Sequence, residues 1–354
     1  MSDLLVPSGV LADPSARGIL LMVSRDPDAK LTFLRGAGGA GRDEQGLVCK
    51  VATTATAAAA VDREARTLVE LRRMQLGRVR HTVPRYVSSA PPSPPGSPAR
   101  SSSGPRPGPA MLLVSNRLPG RPMSFEYHRW RHTARPAAVA RDIDLALHWL
   151  EALWAETAAD PAPLAWPGDV TAALARRWDG TPGLTQALER LEGPTRTLGA
   201  RVSPRAAVHG DFWFGNVLVD GDEVTGVVDW EAGEPCGWPL RDAARFLLSY
   251  SLYLDRHARR GHAVHGHRGL RRGANGDAVR YALLGQGWYP TLIRDRLVRS
   301  LRHLGLPGHL WYDTALVGIA EVAASANHEE FGLDHLRLLI DLPSRPPRPR
   351  RWTP

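Results

Sequence analysis

The sequence predicts an α+β chain in two lobes: a small, strand-rich N-terminal lobe with one key helix, and a larger, mainly helical C-terminal lobe. Three observations predict it. Short apolar runs crowd the first 116 residues, a helix-period pattern interrupts them once, and helical periodicity then dominates apart from a single hairpin. At 354 residues, with 43% hydrophobic and 23% charged side chains, the chain is ordinary for a globular protein and large enough for two modest cores.

In order, Gly18–Ser24 (GILLMVS) reads as a buried strand and Arg25–Ala29 as a turn, and Lys30–Leu34 alternates like a second strand. Glycine-rich Gly36–Gly41 precedes a third strand, Gly46–Ala52 (GLVCKVA). Ala57–Met74 is helical, with Glu64, Leu68 and Leu71 on one face at i, i+4 and i+7. Ser88–Ala110 is dominated by Pro, Ser, Gly and Arg and reads as an unstructured excursion between two strands. The strand resumes at Met111–Ser115, Asn116–Pro122 connects the lobes, and Pro136–Thr157 is an amphipathic helix. The expected division is residues 1–116 for the N-lobe, with 90–110 as its loop, 117–342 for the C-lobe, and 343–354 for a basic, Pro-rich tail.

Met1–Pro14 has neither a basic n-region nor an apolar block, and no segment reaches the roughly 18 apolar residues of a bilayer crossing, which places the chain in the cytoplasm, off the membrane. Two cysteines, Cys49 and Cys236, make no disulfide framework. The net charge of +9 invites nucleic acid as a partner, but much of the excess lies in Pro-rich or Gly-rich stretches at 100–106, 256–272 and 345–351, so none is expected. Of 45 basic residues only Lys30 and Lys50 are lysines. A lysine surviving in so arginine-rich a chain is a candidate for work that needs a compact ammonium.

The chemistry concentrates in Ala207–Trp230, AVHGDFWFGNVLVDGDEVTGVVDW. Val217–Val219 and Val224–Val228 are short strands joined by Asp220-Gly221-Asp222, with Asp211 and Asn216 before the hairpin and Asp229 after it. Antiparallel strands of that length gather the three oxygen-bearing side chains at one edge. Phosphoryl transfer needs such a set, because the protein positions a hydroxyl and holds metal on phosphate instead of forming covalent bonds. Asp211 then accepts the acceptor hydroxyl's proton while Asn216 and Asp229 hold Mg2+ through hard oxygen ligands. By chance, His-Gly-Asp-x4-Asn occurs on the order of 0.002 times in a chain this long.

These residues resemble the aminoglycoside phosphotransferase and choline kinase family, over roughly Gly18–Asp334. His209-Gly210-Asp211 with Asn216 looks like its catalytic loop, Asp229-Trp230-Glu231 like its metal motif, and Pro239–Asp242 like the Pro-x-x-Asp that follows. The resemblance implies a bilobal protein-kinase-like fold with ATP between the lobes and a hinge near Val114–Arg117, so that Val114 and Ser115 contact the nucleotide. It implies that Lys50 meets the phosphates and that Glu64 pairs with Lys50, with Glu70 as a rival. It makes His209 a brace for the catalytic loop. Asp242 is either an N-cap or a bond to that loop, or both. The nucleotide flap falls at Ser24–Ala29, with Ser24 its contact, and not at Gly36–Gly41.

The acceptor stays open. A polycationic aminoglycoside calls for carboxylates, which Glu234, Glu321, Glu329, Glu330 and Asp334 offer, whereas the cations of 256–272 favour an anionic or neutral hydroxyl compound. A small-molecule O-phosphotransferase, a Ser/Thr kinase for a peptide, and an inactive kinase-like binding module are the three readings. His257, His262, His265 and His267 suggest metal, but a flexible, solvated loop is the simpler expectation.

Overall fold

The computed structural model describes residues 18–23, 30–35, 46–90 and 112–346. Ser24 and the rest of the flap, the Gly36–Gly41 cluster, residues 91–111 and the end of the tail lie outside them. In chain order the elements are β1 (Gly18–Val23), β2 (Lys30–Arg35), β3 (Leu47–Ala52), α1 (Ala55–Arg73), β4 (Tyr86–Ala90), β5 (Leu112–Asn116), β6 (Arg121–Pro122), α2 (Met123–Tyr127), α3 (Pro136–Glu156), β7 (Ala159–Pro163), α4 (Trp166–Arg177), α5 (Leu184–Gly199), β8 (Val202–Val208), β9 (Val217–Asp220), β10 (Glu223–Val227), β11 (Glu234–Gly237), α6 (Leu240–Leu252), α7 (Asp277–Leu284), α8 (Trp288–His303), α9 (Trp311–Ser325) and α10 (Glu329–Asp341). They fall into two compact units: 1–121 with 209–211 and 218–235, and 122–208 with 212–217 and 236–354.

In the first unit the sheet runs β1-β2-β3-β5-β4, and every pair with a recorded register is antiparallel. Side chains alternate across it. Leu31, Cys49, Val51, Leu112 and Val114 form an apolar cluster on one face. Lys50 lies opposite Thr32 and Leu113, so Lys50 and Lys30, two residues along from Thr32, share the other face. Thr54 caps α1, its Oγ1 accepting from the Ala57 N–H at 3.0 Å. The buried stripe of α1 runs Ala57, Val61, Glu64, Ala65, Leu68 and Leu71. A carboxylate within an otherwise apolar stripe needs a charged partner to offset its desolvation.

The second unit is helical. α9 is buried along most of its length, and α3 opens with Pro136 at its first position, where a missing N–H costs nothing. Asp142 of α3 sits 2.7 Å from His132 Nε2 and accepts from the Tyr250 hydroxyl at 2.8 Å, all three side chains buried. Phe212 stacks on Trp149 and Phe214 on Tyr127, which seats the chain that follows Asp211 in this core.

Two expectations are corrected here. α6 starts at Leu240, because Pro239 at φ −55° is already helical in φ; Asp242 is its third residue, fully buried, and is not the N-cap. The His/Arg segment is ordered and hydrogen-bonded: Val264 N–H donates to Leu270 O, Gly261 N–H to Arg272 O, and the Arg272 guanidinium to the carbonyls of Arg256 and Ala258. His267 is buried beside Tyr281, Trp288 and Tyr289, and its Nε2–H donates to Thr133 O at 2.9 Å. Among the described residues no set of three metal-ligating side chains forms in this segment.

Candidate active site

The site is built in the first unit, where β3 supplies Lys50, α1 supplies Glu64 and the segment after β10 supplies Asp229. Lys50 Nζ donates to both Glu64 oxygens at 2.7 Å and to Asp229 Oδ1 at 2.8 Å. Glu70, the rival partner, points outward and pairs with Arg73. Burial alone would lower the Lys50 pKa, but Asp229 and Glu64 outweigh it and hold the ammonium above the ordinary lysine range. Burial would likewise raise the Asp229 carboxyl, yet Lys50 and Lys30 hold it well below the usual carboxylate range. The cluster is therefore charged at neutral pH.

Lys30, to which sequence reasoning assigned no role, belongs to the same cluster. Its Nζ pairs with Glu231 and lies 3.8 Å from Asp229 Oδ1. Both lysines of the chain thus converge on Asp229, and the scarcity that singled out Lys50 applied equally to Lys30. One oxygen each from Glu64, Asp229 and Glu231 lie within 4.8 Å of one another. Three carboxylates against two ammoniums leave a net negative charge lined with hard oxygens, a donor set that suits a divalent cation such as Mg2+.

Asp229 has left-handed backbone geometry, φ 73° and ψ 59°, one of two such non-glycine residues among those described. Such a conformation costs about 1 to 2 kcal/mol and persists only where surroundings impose it. Here they do. Glu64 Oε1 accepts from the Trp230 N–H at 3.4 Å, the Trp230 indole donates to Val227 O, Thr67 donates to Gly233 O, and Arg63 donates to Glu231 O. α1 is thus bonded to Trp230, Glu231 and Gly233.

His209 is fully buried, its Nε2–H donating to Val228 O at 2.9 Å while Nδ1 accepts from the Asp211 N–H at 3.3 Å. Both ring nitrogens are engaged in one neutral tautomer, which ties Asp211 to the strand end before Asp229. Gly210 has φ +80°, and a Cβ there would sit 2.1 Å from Ala232 O, so only glycine allows this close approach. Asp211 follows, half-buried and in the same unit as Asp229.

The remaining expected residues are placed as follows. Asn216 is buried in the second unit, directly before β9, its N–H donating to Trp213 O. The hairpin turns on Gly221 and Asp222, with Asp220 ending β9. Val114 and Ser115 are buried in β5; Val114 packs into the apolar cluster away from Lys50, whereas Ser115, opposite Val48, shares the Lys50 face. Asp242 belongs to the second unit and Ser24 lies outside the described residues.

The profile of the phosphotransferase enzyme family matches residues 29–275, most of the chain. The chain belongs to this family. Its structure is similar to that of a thermostable mutant of aminoglycoside phosphotransferase APH(4)-Ia, solved without ligand (TM-score 0.53, 14% identity, 95% of this chain and 98% of the other). It is similar to another such mutant, solved with AMP-PNP and hygromycin B (TM-score 0.52, 12% identity, 95% and 98%). A Ralstonia eutropha JMP134 protein provisionally named an aminoglycoside phosphotransferase matches at TM-score 0.50 and 14% identity, over 92% and 90%. None of the curated proteins matches the sequence. The kinase-like α+β fold expected from the sequence is the fold observed, and the chain is a phosphotransferase that acts on hydroxyl groups. No helix among the described residues is long and apolar enough to cross a membrane.

Proposed function

We propose that this phosphotransferase moves the γ-phosphate of ATP to the hydroxyl of a small molecule, with Mg2+ as cofactor. The Lys50–Glu64–Asp229 constellation carries the reading. Glu64 fixes the direction of the Lys50 ammonium, which binds phosphate oxygens as a point charge; Lys30 supplies a second ammonium. Asp229 and Glu231 would hold Mg2+, with Asn216 proposed as a further ligand on the strength of its motif. The cation, when bound, neutralises charge on the transferring phosphate. Asp211 takes the proton of the attacking hydroxyl, and His209 fixes the backbone from which it acts. ATP as donor is supported by the AMP-PNP found in a structural relative.

The acceptor is proposed to be neutral or anionic. Of the carboxylates that a polycation would need, Glu321 already accepts from Arg241 at 2.7 Å and from the Trp166 indole at 3.1 Å, and Asp334 accepts from Asn275 at 2.6 Å and Arg337 at 3.3 Å. The test is an ATP-consumption screen over sugars, amino sugars, nucleosides, amino alcohols and Ser-containing peptides, with phosphate position read by mass and NMR. Phosphorylation of a neutral or acidic small hydroxyl compound is expected. Selective phosphorylation of a peptide or of a polycationic aminoglycoside would contradict this acceptor class.

A further inference from the structure

Outside the catalytic cluster, the first unit carries a groove of about 890 Å³ between the C-terminal end of α1, the turn that follows it and the chain leaving β5. Its floor is apolar, with Leu68, Leu71, Leu76, Val83 and Leu118 among its lining. Around that floor stand Arg72, Arg73, Arg80, His81, Arg85 and Arg117, and among the described residues no Asp or Glu lines it. Five guanidiniums in one concavity repel one another and raise the local potential, which concentrates anions.

Two of the five are engaged: Arg72 donates to Tyr86 O at 3.3 Å and Arg73 pairs with Glu70. Arg80, Arg85 and Arg117 are exposed, and among the described residues their side chains have no ion-pair or hydrogen-bond partner. Two arginines of the second unit, by contrast, are clamped by carboxylates. In the second unit Arg296 grips Asp144 with two bonds at 2.7 and 2.8 Å, and Arg299 grips Glu151 at 3.0 and 2.7 Å. Residues 91–111, which join β4 to β5, contain Arg100 and Arg106 and no acidic residue.

We propose that this groove binds a small polyanion: a molecule with two or more phosphate or carboxylate groups on an apolar body. Guanidinium forks match both anions with paired bonds, and the apolar floor takes the body. The volume falls within the usual 300 to 1,000 Å³ of a small-molecule site, and a compact concavity with an apolar floor suits such a ligand better than the extended cationic stripe that tracks a nucleic-acid backbone. The site is distinct in position and chemistry from the Lys50 cluster, and the proposal stands whatever the acceptor of the phosphotransfer.

The test is calorimetric titration of the full chain in magnesium-free buffer with sodium tripolyphosphate and, separately, with citrate. The wild type is expected to bind at least one of them, which also identifies the favoured anion, and to lose at least fivefold in affinity between 50 and 300 mM NaCl. Arg80→Glu with Arg85→Glu should weaken binding at least tenfold, and the milder Arg80→Gln with Arg85→Gln should do so to a lesser degree with the circular dichroism unchanged. Lys50→Met, its fold checked by circular dichroism, should retain the salt-sensitive binding that the arginine variants lose. No binding of either probe at 1 mM would overturn the proposal. So would loss in Lys50→Met with retention in the arginine variants, which would put the anion at the catalytic cluster. A twelve-nucleotide RNA binding tenfold tighter than tripolyphosphate would replace the small ligand with a nucleic acid.

Discussion

Lys50 keeps its proton because two carboxylates stand within 2.8 Å of its nitrogen, and Asp229 stays ionised because the ammonium is there. Neither charge is tolerable alone at Glu64, which is 2% exposed. Lys50→Met should therefore cost about 3 kcal/mol of stability, the penalty for stranding a buried charge, readable by chemical denaturation. Lys50→Arg keeps the charge and most of that stability but spreads it over a planar fork, and should lower kcat at least tenfold; wild-type kcat in that variant would show that any cation serves. Lys30 makes fewer contacts, with Glu231 and at longer range with Asp229. Loss of one charge-assisted phosphate contact, at about 1.5 to 3 kcal/mol, should raise KM for ATP tenfold or more in Lys30→Met, with a smaller change in kcat. Lys50 was legible from composition and from its place on the third strand. Lys30 was marked by the same scarcity, but its role was not legible, because it depends on a strand register that sets Thr32 against Lys50 and on a left-handed Asp229, and neither leaves a mark in the sequence.

α1 is the element on which the site turns. Its apolar periodicity predicts a buried face, and the carboxylate within that face predicts a buried cation nearby. What the periodicity does not predict is the series of bonds from Arg63, Glu64 and Thr67 to the segment after Asp229, since those acceptors are backbone groups that any sequence would offer. The His209–Asp211 loop is fitted against the same segment through Gly210. Gly210→Ala should destabilise the protein by at least about 3 kcal/mol, combining the left-handed backbone penalty with a clash that displaces Ala232. Gly168→Ala, in α4 with nothing within 4 Å of the new methyl, should be neutral or slightly stabilising; equal denaturation midpoints for the two variants would refute the close-approach account. The segment between α6 and α7 shows the limit of composition. Its arginines and histidines suggest solvent, but His267 is buried among aromatic rings supplied by α7 and α8.

At the scale of the whole molecule, buried histidines contribute acid sensitivity to the fold. Burial lowers His267 and His335 to about 4, although carbonyls of Thr133 and Phe331 favour the charged forms. In the unfolded chain a histidine titrates near 6.5. Between those values the unfolded state binds protons that the folded state refuses, so this stability is complete above about pH 6.5 and is lost as pH falls toward 4, by up to about 3 kcal/mol for each residue. His267→Phe should show a smaller fall in Tm between pH 7 and pH 5 than the wild type; an identical fall would show that His267 is not a source of the acid sensitivity. The fold class and the segment that carries the candidate site were readable over this scale because hydrophobic period and rare motifs survive in one dimension. The charge of +9 was not, since arginines clamped by carboxylates and arginines gathered in a basic groove look alike in a sequence. The central claim is that Asp211 acts as the base of a phosphotransferase whose nucleotide is held elsewhere in the cluster. It is tested most directly by comparing Asp211→Asn with the wild type for Mg-ATP binding by calorimetry and for phosphate transfer to the acceptor found by screening. Unchanged ATP affinity with transfer reduced at least a thousandfold is predicted; transfer at the wild-type rate would contradict it.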